Sequence, residues 1–213
     1  MKYLNIGHYV KVLLKEGTRW EFEKILNGGI NLSEKKIRCL SWYKRSALLI
    51  PAIFLCYLLD SGLNGDCIGY AISALSIFIG LFASLIITMY DRYLQLPKLD
   101  GTETDAVRVD SIKVKNFIKQ FTFVTGKDLL IATTIIGLMS LSIVFKIHMA
   151  QNVDNYHFVR SWNHFSYKSV LLFCDLSFVI IVRVSILYLI LDFFLLLLYS
   201  LGALFSFLKK DYE

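Results

Sequence analysis

Four stretches of the chain stay apolar for most of a bilayer's thickness, and dense charge separates them. The second, Cys67 to Tyr90, is the clearest, and ends at Asp91-Arg92-Tyr93. The third, Leu129 to Phe145, holds no charged residue and closes on Lys146 and His148. The first, Ser46 to Leu59, is short. It needs Trp42 and Tyr43, or the residues around Asp60, to reach the roughly 20 residues that span a hydrocarbon core. Pro51 then falls in its first turns, where a membrane helix tolerates a kink. The last run, Ser169 to Phe207, is too long for one perpendicular span. As a helix it rises about 58 Å against a core of roughly 30 Å. It contains no proline, and its one glycine, Gly202, lies near its end, so one long helix projecting on the external side is predicted rather than two spans with a turn. The predicted fold class is all-α: a polytopic membrane protein with four transmembrane helices and short amphipathic cytoplasmic helices.

The polar segments carry their own pattern. Residues 1–45 place Tyr3, Val10, Leu13, Leu14, Trp20, Phe22, Ile25 and Leu26 among ten basic residues, as an interfacial amphipathic segment does. Gly28-Gly29 divides it, and Ser33 is placed to cap the helix that enters the membrane. Between Asp91 and Asp128 lie seven basic and six acidic residues, Asp128 included. There Ile112, Val114, Phe117, Ile118 and Phe121 recur at near-helical spacing against Lys113, Lys115 and Lys119, predicting either a separate amphipathic helix or an extension of the third span. The chain divides into an N-terminal segment 1–45, a first hairpin 46–90, a linker 91–127, a second hairpin 128–208 with an external loop 146–168, and a tail 209–213.

Composition agrees: 56% of residues are hydrophobic and the mean hydropathy is +0.56, beyond the ordinary soluble range. The net charge of +6 beside so much apolar sequence reads as positive-inside bias and attraction to anionic headgroups, and direct nucleic-acid binding is not expected. The N-terminal segment, linker and tail hold nineteen of the 23 basic residues. The opposite loops hold three, Lys146, Arg160 and Lys168, and Arg183 lies within the last run. Both termini and the linker are therefore expected in the cytoplasm. The first forty residues are not a basic start followed by an apolar run, so insertion should rely on the spans themselves. Cys39, Cys56, Cys67 and Cys174 form no C-x-x-C pair; Cys67 and Cys174 fall on the external side, where a disulfide is chemically accessible. His148, His157 and His164 have no metal-pair spacing, and no hydrolase, phosphate-loop or dinucleotide motif occurs, so neither a metal, a cofactor nor an enzymatic activity is expected.

Two groups of intramembrane residues invite functional readings. On the second span, Gly69, Ser73, Ser76, Gly80, Ala83 and Ser84 share a face, and Thr133, Gly137 and Ser140 form a weaker stripe on the third. Small residues at this spacing let backbones approach closely, either within one four-helix subunit or between subunits around a pore. On the last span, Arg183 and Asp192 are costly at the bilayer centre, at least ~2.5–3.5 kcal/mol each on insertion scales, and should face protein or water. Asp175 lies about 80° from Arg183 around the helix, whereas Arg183 and Asp192 point to nearly opposite faces, so they do not neutralise each other.

The layout of two spans, a charged cytoplasmic linker and two more spans, with a basic amphipathic start and Tyr90-Asp91-Arg92 closing the second helix, resembles the small membrane effectors of bacterial anti-phage systems, including those paired with retrons. That resemblance implies an effector held inactive by a regulatory protein or nucleoprotein complex and released on infection to disrupt the membrane. The expected function is an oligomeric effector or channel that permeabilises the inner membrane. The alternative is a non-conducting anchor or scaffold that recruits a cytoplasmic complex through residues 1–45 and 91–127.

Overall fold

The computed structural model describes residues 6–22, 33–59, 63–96, 105–145 and 167–212. Gly28-Gly29, Asp60 to Gly62, and the loop holding Lys146, His148, His157, Arg160 and His164 lie outside those residues. Among the described residues the regular structure is all helix, with no strand: α1 (Ile6–Phe22), α2 (Glu34–Leu58), α3 (Gly65–Gln95), α4 (Asp105–Val144) and α5 (Tyr167–Tyr212). Segments of 25, 31, 34 and 33 residues in α2, α3, α4 and α5 are long and apolar enough to cross a membrane.

Each boundary has a local cause. At the start of α2, the Ser33 carbonyl accepts from the backbone N–H groups of Lys36 and Ile37 at 2.9 and 3.2 Å, as a capping residue does. Asn64 caps α3: its Oδ1 accepts from the Cys67 N–H at 2.8 Å, and its carbonyl accepts from that of Ile68 at 3.1 Å. Helix α2 runs through Pro51 without interruption, so the short apolar run reaches spanning length by extending backward through Trp42 and Tyr43. Of the two alternatives open for residues 109–123, the extension forms, and α4 is a single helix of 40 residues. The last run is likewise one unbroken helix of 46 residues, about 69 Å long, continuing to Tyr212 through what the sequence sets apart as a tail.

The chain forms two compact units. The first comprises Met1–Lys44, Phe78–Ile131 and Phe193–Glu213. Its core is Met89 of α3 with Phe117, Ile118 and Phe121 of α4, ringed by Leu85, Tyr93, Val114, Ala203 and Leu204. Phe78 meets Phe193 edge-on at 5.9 Å between centroids, and Lys115 Nζ lies 5.6 Å from the centroid of the Tyr93 ring. The second comprises Arg45–Ile77 and Ala132–Asp192, and buries Ala52, Ile68, Leu75, Ala132, Ile135, Met139, Val179 and Ile186. On α3 the buried residues are Ile68 and Leu75 in the second unit and Phe82 and Met89 in the first, a seven-residue recurrence of large side chains along one stripe of the helix.

Candidate functional site

Helix α1 is amphipathic, with Val10, Leu13 and Gly17 on one face, and Glu21 falls on that same apolar face. The first unit turns this face onto α4. The approach at Gly17 is so close that a Cβ there would stand 2.9 Å from both the Phe123 carbonyl oxygen and Lys127 Cβ. Gly126 of α4 provides the reciprocal notch, with Leu13 Cδ1 at 3.0 Å from the position its Cβ would take. Gly17 thus lets the two backbones meet where a side chain would hold them apart, while Gly126 makes room for the Leu13 side chain.

This approach carries Glu21 into the interior, where its side chain is 5% exposed. Lys44 Nζ of α2 donates to one carboxylate oxygen at 2.6 Å, and Lys127 Nζ of α4 donates to the other at 2.7 Å. Both distances are those of charge-assisted bonds. Two turns of α4 earlier, the Gln120 amide donates to the Trp20 carbonyl at 2.8 Å and to the Tyr199 hydroxyl of α5 at 2.5 Å. The Trp20 carbonyl belongs to the last turn of α1, where helical acceptors lack intrahelical donors, so Gln120 supplies a bond the helix cannot make itself. Residues from α1, α2, α4 and α5 are therefore joined through polar side chains that are largely buried. Asp128, Thr125 and Ser200 are also buried in this unit, and among the described residues the Thr125 and Ser200 hydroxyls have no hydrogen-bond partner. The ion triad carries one negative and two positive groups and contains no nucleophile paired with a base; its geometry suits fastening α1.

Of the charges singled out from sequence, Asp175 is exposed, Arg183 is 3% exposed and Asp192 is 9% exposed. Arg183 faces into the second unit, beside a small cavity lined by Cys56, Leu59, Leu63 and Leu187, and does not run out along the surface. Asp192 is also turned inward, as the cost of a charge against lipid requires.

The small-residue stripes lie elsewhere. Gly69, Ser73, Ser76, Gly80 and Ser84 of α3, and Thr133 and Gly137 of α4, are exposed, while Ala83 and Ser140 are half-buried. A Cβ at Gly69, Gly80 or Gly137 would meet nothing within 4 Å. These faces are thus not the seam between the chain's own helices. The hydroxyls of Ser73, Ser76 and Thr88 donate to the carbonyls of Gly69, Ile72 and Ser84, at 3.0, 2.8 and 3.0 Å. Each proton is satisfied within α3, so the face can meet apolar surroundings while each oxygen still has capacity to accept.

Cys39, Cys67 and Cys174 are exposed and Cys56 is half-buried, and none is in a disulfide, so Cys67 and Cys174 do not pair. Among the described residues no group of three His, Cys, Asp or Glu is placed to hold a metal ion. Comparison of the chain with protein-family models, with curated proteins and with solved structures finds no match.

Proposed function

We propose that the chain is an oligomeric effector or channel of the bacterial inner membrane, with both termini and the linker in the cytoplasm, that permeabilises the bilayer as the toxic arm of an anti-phage defence. The observation that carries this reading is the uncovered small-residue face of α3, with its counterpart on α4. Lipid gains little from a flat strip of Gly and Ser, whereas a second helix gains close backbone contact there. Subunits joined along these faces would form a conducting path between chains. Arg183 and Asp192, kept inward at a cost to insertion, supply polarity within the spanning region. Orientation rests on the basic residues of residues 1–45 and the linker.

Induced expression of the chain alone in a bacterial host, followed with a membrane-potential dye, tests this reading. Depolarisation within minutes, ahead of any loss of protein synthesis, is the expected outcome. Harmless accumulation in the membrane, both alone and together with its cytoplasmic partners under phage challenge, would favour the scaffold reading, which draws support from the firm anchoring of α1 by Glu21.

A further inference from the structure

The first unit carries a concentrated cationic surface where α2 begins. Lys35, Arg38 and Trp42 follow one another at i, i+3 and i+7, within about a 60° arc of the helix, and all three are exposed. Lys36 and Tyr43 flank the stripe, also exposed, and Trp42 and Tyr43 show 73% and 74% of their surface. Helix α1 adds Lys15, whose Nζ lies 3.8 Å from Glu34, the acidic residue in the first turn of α2. Lysines in the first turn of a helix oppose its dipole, so helix formation gives no reason for Lys35 and Lys36 to stand there. Their arrangement fits a ligand outside the chain. Trp42 and Tyr43 identify its class: on a helix that continues into an apolar span, aromatic residues next to cations mark the level of lipid headgroups.

We propose that Lys35, Arg38 and Trp42 of α2, widened by Lys36, Tyr43 and Lys15, form a docking surface for the headgroup of an anionic phospholipid. The cations take the phosphate while the two rings lie against the glycerol and upper acyl chain. A nucleic acid would use the cations but would leave Trp42 without the apolar contact its position offers. The proposal requires α2 to span a bilayer, and it holds whether or not the chain conducts.

The test uses the full chain with Trp20→Phe and Trp162→Phe, so that Trp42 alone fluoresces, reconstituted with brominated phosphatidylglycerol or brominated phosphatidylcholine. Each cation near an anionic surface favours it by about fivefold, so phosphatidylglycerol should quench Trp42 with at least about fivefold higher apparent affinity. Lys35→Gln with Arg38→Gln should bring the ratio toward one, and Lys35→Arg with Arg38→Lys should preserve it. Equal quenching by the two lipids in the parent overturns the proposal, and that reading depends on no charge variant. A preference unchanged by the glutamine pair also overturns it. So does equal lipid quenching together with oligonucleotide binding at 0.15 M salt that the glutamine pair abolishes, which would assign the surface to nucleic acid.

Discussion

Replacing Glu21 with Gln should release α1 from the rest of the first unit. The change keeps the side chain's volume but removes the charge that both lysines face. One amide position can still accept from a lysine, but the other becomes an NH2 group pointed at an ammonium 2.6 or 2.7 Å away in the parent. Removing one partner from a buried ion pair costs about 3–5 kcal/mol, because the charge left behind stays desolvated. Lys44 and Lys127 are 15% and 11% exposed at the side chain, so both can withdraw partway toward water, and the lower end of that range, about 3 kcal/mol, applies. That corresponds to about a 150-fold rise in the population with α1 undocked. Amide hydrogen exchange in nanodiscs reads this population directly. Exchange between Leu13 and Trp20 should quicken by about two orders of magnitude, while Phe82 to Met89 of α3 holds its parent rate. The charge-free combination Glu21→Leu, Lys44→Met and Lys127→Met should restore most of the protection, since well-packed apolar groups replace a buried ion cluster at little cost. Exchange in α1 of Glu21→Gln within twofold of the parent would refute the triad as the fastening of α1.

The two glycines make a paired prediction. Gly17→Ala places a Cβ 2.9 Å from a backbone oxygen that cannot move aside, so it should loosen α1 by about 1–3 kcal/mol despite the better helix propensity of alanine; Gly126→Ala meets only a rotatable Leu13 methyl and should be near neutral, both read by the same exchange experiment. At Asp192, Asn keeps the shape and the hydrogen-bonding capacity, whereas Leu removes both. Because Asp192 is buried within its own chain, away from the exposed face of α3, Asn should keep the parent's permeabilisation and ion preference while Leu should lower the amount of assembled protein; altered ion preference in both variants would contradict this and place the charge in the conducting path. Cysteines introduced at Asn64 and Asn155 should label with an impermeant reagent in cells with intact inner membranes, and one at Thr104 should not; labelling at Thr104 would invert the orientation.

The spans could be read from the chain because an unbroken apolar run has little alternative to crossing a bilayer as a helix, which left the break within Ser169–Phe207 as the main question and the absence of proline as its answer. Helix α4 was legible only as two alternatives, since the same 3.6-residue spacing fits a separate amphipathic helix and an extended span. The small-residue stripe shows the limit of periodicity: it establishes that Gly69, Ser73, Ser76, Gly80 and Ser84 share a face but not which neighbour that face meets. The competing recurrence of Ile68, Leu75, Phe82 and Met89, present in the same helix, is what turns α3 inward. Fastening of α1 depends on Gly17 meeting Phe123 and on Glu21 meeting Lys44 and Lys127, contacts between residues distant in the chain. One local signal pointed to it: Glu21 is a charge on the apolar face of α1, a placement that becomes favourable only when partners bury it.

Assembly along the uncovered face of α3 is the central claim, and ion flux from purified protein reconstituted at increasing protein-to-lipid ratio tests it most directly. Gly80→Leu is the decisive variant, because open space surrounds the added side chain within one chain and the fold should be unaffected, while a branched side chain in the middle of the stripe would force apart two subunits packed there. Flux from the parent should rise more steeply than in proportion to protein density, and Gly80→Leu should lose most of it while inserting normally. Equal flux from the two proteins, or no flux from the parent at any density, would contradict the account.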